Sequence, residues 1–127
     1  VGWSCHPIEH ELSAFYDITH GLGLAIITPK WMKYILDNDT VDRFYSYGVN
    51  VFGIDKALDK MVVAQESIRL TEVFLYETLG LDHNLSSLGI DETYFDIMAK
   101  KVCGDGVLNG FKNLRVEDVK AILQMSL

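Results

Sequence analysis

Disulfide bridging is the first thing this sequence leaves little room for. Its 127 residues hold two cysteines, Cys5 and Cys103, too few for a framework of bridges. The start shows no signal-peptide pattern, so a reducing cytoplasm is the expected compartment. Basic residues are also scarce. Eleven Lys and Arg face 18 Asp and Glu, a net charge of -7, and the resulting field repels phosphate backbones and argues against a nucleic-acid partner. Long apolar runs are missing: the longest stretch without a formal charge, Ile18 to Pro29, has twelve residues. A bilayer needs about twenty, so this is read as a buried segment and not as a membrane span. Strand patterning is nearly absent, and no G-x-G-x-x-G follows a strand; "GDGVLNG" falls between helical patterns and reads as a plain connection. Position 1 is valine and not methionine, and the first dozen residues already look like mid-domain chain. The expectation is a fragment holding one domain and one core.

What is present is helical spacing. Ile8, Leu12 and Phe15 fall at i, i+4, i+7 and predict a helix over 7–17, with Pro7 in its first turn, where proline is tolerated. Residues 21–37 read as a second, nearly all-apolar helix in which Pro29 implies a kink or a break. Asp39 or Thr40 could cap a third helix ending near Gly53. Residues 54–79 form the longest pattern, with Leu58, Met61, Val62, Ile68, Val73 and Leu75 as apolar positions and Gly80 as the stop. "LDHNLSSLGI" is a polar connection, Asp91 caps a helix to about Val102, "GDGVLNGFKN" is a loop, and Arg115 to Met125 closes the chain. The fold class is all-α, a compact bundle of five or six helices.

Three of the four histidines lie between residues 4 and 26, in "SCHPIEHELSAFYDITHGLGLAI". His6-Pro7-Ile8-Glu9-His10 spells H-x-x-E-H, the pattern of inverted zinc peptidases, with His6 and His10 on one helix face and Glu9 as base. Three fixed letters match often by chance, Pro7 would stand where the required helix begins, and the chain is short for a substrate cleft. Partly buried, satisfied histidines are the plain alternative, but three within fifteen residues are what a metal site needs. On one straight helix His6 and His20 would be roughly 21 Å apart. Two ligands of one metal lie about 3 Å apart. A shared ion therefore requires the chain to fold back between them, near Thr19 to Gly23, where Gly21 and Gly23 relax the backbone.

The stretch "CHPIEHELSAFYDITHGLGLAIITPKWMKY" closely resembles the metal-binding region of the iron-containing alcohol dehydrogenases, and within them the bacterial NAD(P)H-dependent butanol dehydrogenase branch. The likeness continues, less specifically, to the final "GFKNLRVEDVKAIL". The resemblance implies the C-terminal helical domain of such an enzyme, with its N-terminal dinucleotide-binding domain absent from this chain. His6 and His20 are then ligands of a divalent iron, or of zinc, completed by an aspartate and a histidine upstream. His10 would line the cleft beside the nicotinamide and substrate as a catalytic and cofactor-binding residue, a candidate proton relay. The implied reaction is hydride transfer between NAD(P) and a small alcohol or aldehyde, in a homo-oligomer, with the metal as Lewis acid. Cys103 and the loop after it would approach the substrate pocket.

A fragment of this kind should be inert alone and self-associate through the apolar stretch Ile18 to Trp31. A self-standing helical metal-binding or interaction module is the other class the residues allow. Glu9 and Glu11 could orient His6 or His10, although first-turn carboxylates are more often solvated. Neighbouring positions on a helix diverge by about 100°, so Cys5 and His6 would not share a metal. Trp31, Tyr34, Phe44, Tyr45 and Tyr47 sit at helical spacing and read as core, and His83 reads as an exposed loop residue.

Overall fold

Among the described residues there are six α-helices: α1 Cys5–Phe15, α2 His20–Ile35, α3 Val41–Phe52, α4 Lys60–Glu72, α5 Phe95–Cys103 and α6 Val116–Met125. The computed structural model describes residues 5–16, 18, 20–81, 84–104, 106–108 and 112–127, and for Cys5, His6, His20 and Val107 the backbone alone. The reading of His83 lies outside the described residues. The all-α class holds. β1 Val107–Leu108, in the glycine-rich connection, pairs antiparallel with β2 Leu114–Arg115 just after it, Val107 opposite Arg115.

Ile8 and Leu12 of α1, Ile26, Trp31 and Ile35 of α2, and Ile122 and Leu123 of α6 are fully buried in one cluster. The stretch Ile18 to Trp31 is therefore not an uncovered patch. Its apolar side chains at 25–27 and 31 are already packed inside this chain, and the exposed large apolar groups lie elsewhere, at Leu58, Val62, Phe74 and Leu79 among others. Of the aromatic set, Trp31 and Phe44 are core, whereas Tyr34, Tyr45 and Tyr47 are half-buried with hydroxyls bonded to Asp118, the Lys56 carbonyl and Thr71. A phenol reaches the surface of a core because its ring is apolar and its tip is not.

α2 runs through Pro29 without a break. Proline has no N–H to give the carbonyl four residues back. That acceptor, the Ala25 oxygen, receives the Tyr76 hydroxyl instead, at 2.8 Å. Tyr76 lies in a π-helical segment, Val73–Thr78, that continues α4. The wider turn shifts the phase of the helix, so Tyr76 is buried while Phe74 and Leu79 face outward. Gly80, at φ +69°, follows the end as expected.

Two helix starts differ from the sequence reading. α4 begins at Lys60 and not at 54, because the Asp59 carboxylate accepts from the Met61 N–H and caps the helix there. Asp91 does not cap α5; it closes a turn by accepting from the Thr93 N–H and hydroxyl, and α5 starts at Phe95. The polar connection is anchored, with Leu85 fully buried and its N–H bonded to the Ser126 carbonyl at 2.7 Å. By contrast, Thr40 and Gly53 bracket α3 as the sequence predicts.

Candidate metal centre

α1 opens with Cys5, His6 and Pro7, and proline in a first turn gives up an N–H that the helix does not use. The helix ends at Phe15, Tyr16 closes it with a bond from its N–H to the Leu12 carbonyl, and α2 opens at His20. His6 and His20 thus stand at the starts of two separate helices that pack on each other. The single unbroken helix that would hold them roughly 21 Å apart does not form. α1 ends and α2 begins ahead of both glycines. Gly21 and Gly23 are inside the first turn of α2, and neither has a positive φ. Their part is not to relax a corner.

For Gly23 the reason is proximity. A Cβ there would stand 2.6 Å from Glu9 Oε1 and 2.7 Å from Glu9 Cγ, closer than atoms pack. Glu9 itself is fully buried, with Ser13 Oγ donating to its Oε1. The expectation of a solvated first-turn carboxylate is thereby overturned for Glu9: helix periodicity turns it inward, beside Ile8 and Leu12, onto α2. Glu11 is half-buried and faces Lys101 of α5 at 3.8 Å. His10, the next residue after Glu9, is exposed on α1.

Among the described residues no three His, Cys, Asp or Glu side chains are grouped to hold a metal; the side chains of His6 and His20 are outside that description. The donor types nevertheless suit a divalent cation of the iron or zinc kind, for which imidazole nitrogen is an ordinary ligand. Cys103 is a core residue of α5. It is buried, its Sγ lies 3.7 Å from the Leu114 carbonyl oxygen, and burial pushes the thiol pKa up, so it is protonated and unreactive at neutral pH.

Two polar features at the far end of α2 escaped the sequence reading. Lys30 lies beside Tyr76, its Nζ 3.0 Å from the phenol oxygen, and burial lowers its pKa to about 8. An open groove of about 330 Å3 between α2 and α4 is bridged by Lys33 and Glu72 at 2.9 Å. Both depend on pairings distant in sequence, and the one local signal was Pro29, whose missing donor had to be answered somewhere.

Comparison with known proteins matches residues 1–127 to the model of the Fe-containing alcohol dehydrogenase family, C-terminal. The chain is 47% identical over 126 residues to NADH-dependent butanol dehydrogenase A of Clostridium acetobutylicum, covering 98% of this chain and 32% of that protein. It is 48% identical over 129 residues to NADH-dependent butanol dehydrogenase B of the same organism, covering 99% and 33%. A crystal structure of NADH-dependent butanol dehydrogenase A from Thermotoga maritima superposes with a TM-score of 0.79 at 32% identity, over 98% of this chain and 33% of that one. The chain spans about a third of the length of these relatives.

Proposed function

The chain belongs to the Fe-containing alcohol dehydrogenase family, as its C-terminal portion, and from that premise we propose that it supplies the metal-binding part of an NAD(P)-linked alcohol dehydrogenase or aldehyde reductase of the butanol dehydrogenase kind. The observation that carries this reading is the break between α1 and α2, which sets His6 and His20 at the heads of two packed helices. Such an arrangement lets two imidazoles well separated along the chain approach one ion, which a continuous helix forbids.

In this reading His6 and His20 each give a neutral ring nitrogen to a divalent iron or zinc, with further ligands from outside this chain. When bound, that ion supplies Lewis acidity to the alcohol or carbonyl oxygen. Ile8 and Leu12 hold α1 against α2 and keep the histidine backbones in place. His10, exposed one residue beyond the buried Glu9, holds or passes the alcohol proton at a ring nitrogen while hydride moves to or from the nicotinamide. The nicotinamide is bound by a domain other than these helices, since the chain carries no glycine-rich phosphate turn between a strand and a helix.

The direct test is Co2+ or Zn2+ titration of the native protein carrying this chain. His20→Ala should abolish tight metal binding while leaving the helical circular dichroism unchanged. His10→Ala should retain the metal and lower kcat. Unchanged metal affinity in His20→Ala would remove the metal assignment.

A further inference from the structure

We propose that Glu9 is a positioning residue for the metal pair: its buried side chain, seated on Gly23, sets the spacing of α1 and α2 at the level where His6 and His20 must converge. The inference rests on the metal reading above. Glu9 is three residues after His6 and Gly23 three residues after His20, so their contact lies about 4.5 Å along each helix from the candidate ligand. It is the packed point next to the candidate centre, and what is fixed there is transmitted to both histidine backbones through a single turn of helix.

Several observations make the contact specific. A Cβ on Gly23 would meet three Glu9 atoms, Oε1 at 2.6 Å, Cγ at 2.7 Å and Cδ at 3.0 Å, so it would strike the stem as well as the tip. Glu9 is fully buried and therefore cannot swing into solvent to make room. Ser13, one turn further along α1, donates to Oε1 and holds the carboxyl in that rotamer. At Gly21, two residues earlier on α2, an added methyl would meet no atom of the described residues within 4 Å, so of these two glycines it is Gly23 that makes the close approach. A glycine facing a long buried side chain brings two helix backbones to a distance set by that side chain's thickness. The carboxyl thus acts as a spacer, with Ser13 satisfying an oxygen that burial would otherwise penalise.

The experiment uses the native protein with Co2+ as probe, because its visible spectrum reports ligand number and geometry as well as affinity. Gly23→Ala should force the helices apart, and Glu9→Ala should let them collapse; each should weaken Co2+ binding by about tenfold, as loss of a ligand-orienting partner does, and alter the spectrum. The double variant Glu9→Ala/Gly23→Ala, in which the new methyl enters the vacated space, should regain most of the affinity and the wild-type spectrum. Glu9→Gln keeps the shape and an acceptor for Ser13, and should bind Co2+ as the wild type does. Far-UV circular dichroism identifies any variant that fails to fold, and the remaining ones still decide. The proposal is overturned if both single variants keep the wild-type affinity and spectrum, if their losses simply add in the double variant, or if Glu9→Gln loses as much as Glu9→Ala, which would show a role for charge and not for spacing. His20→Ala separates the two levels: unchanged binding there sinks the metal reading, whereas loss there with unaffected Glu9 and Gly23 variants sinks this inference alone.

Discussion

Pro29 withholds an N–H from the Ala25 carbonyl, and the Tyr76 hydroxyl donates to that oxygen while its own oxygen accepts from Lys30. Removing the hydroxyl should therefore leave a buried acceptor exposed to no donor. Tyr76→Phe is expected to destabilise the fold by about 1–3 kcal/mol in urea unfolding. In a Pro29→Ala background, where alanine restores the backbone donor, the same substitution should cost distinctly less, and a cycle of the four proteins measures that coupling. Equal costs in both backgrounds would show that Ala25 is satisfied independently. Lys30 makes a pH prediction. Burial lowers its folded pKa to about 8 from an ordinary 10.5, so between those values the unfolded chain binds more protons than the folded one, and stability rises with pH. Glu72 and Lys33 nearby oppose and reinforce the shift respectively, and the Tyr76 phenol, raised by burial, stays protonated across the window. Lys30→Met should flatten the rise between pH 8 and 10. Sequence alone marked Pro29 as an obstacle, but its remedy sits far along the chain, where no local pattern could point to it.

The helices themselves were legible where apolar spacing was regular, as in α1, or where flanking residues marked the ends, as in α3, and illegible where packing selects small residues over large ones. α4 shows why. Its buried line is Val63, Ala64, Ser67, Ile68 and Thr71, whereas the apolar pattern had drawn in Leu58 and Val62, which are 48% and 50% exposed. α3 approaches so closely that a Cβ on Gly48 would lie 3.0 Å from Val63 and 3.1 Å from Ser67. At that distance Ala64 and Ser67 fit and leucine does not. The start of α4 rests on Asp59, whose carboxylate bonds the Met61 N–H at 3.1 Å. Asp59→Ala should cost about 1 kcal/mol, and Asp59→Ser much less, in chemical denaturation. α6 is seated differently: Asp118 accepts from the Arg115 N–H and from the Tyr34 hydroxyl, which pushes the Tyr34 pKa up to about 12.

At the scale of the whole molecule, the histidine pattern and the need for a fold-back were readable from spacing. Where the chain turns was not, because Gly21 and Gly23 resemble a flexible corner in sequence and serve inside a helix in the structure. The buried Glu9 was missed for a related reason: a carboxylate near a helix start reads as solvated unless its partner on the next helix is known. The 127-residue chain alone should show no NADH or NADPH binding in calorimetric titration, because its helices offer no phosphate turn; micromolar affinity would overturn the division of labour proposed here. It should also self-associate, through Leu58, Val62, Phe74 and Leu79 and not through the already buried Ile26, Ile27 and Trp31. Sedimentation showing a monomer at high concentration would refute this, and Phe74→Ser should weaken any association that Trp31 does not touch.

The bond from Tyr76 to Ala25 spans 51 residues, and that length gives it a place in time. A helix that completes its hydrogen bonds internally can close early and locally. α2 has one acceptor that stays open until the segment after α4 has docked, and long-range docking follows loop closure. The bond should therefore be absent from the folding transition state. Tyr76→Phe should speed unfolding roughly by its full equilibrium cost and leave the folding rate nearly unchanged, which makes this hydroxyl a latch on the finished protein and no part of its nucleus.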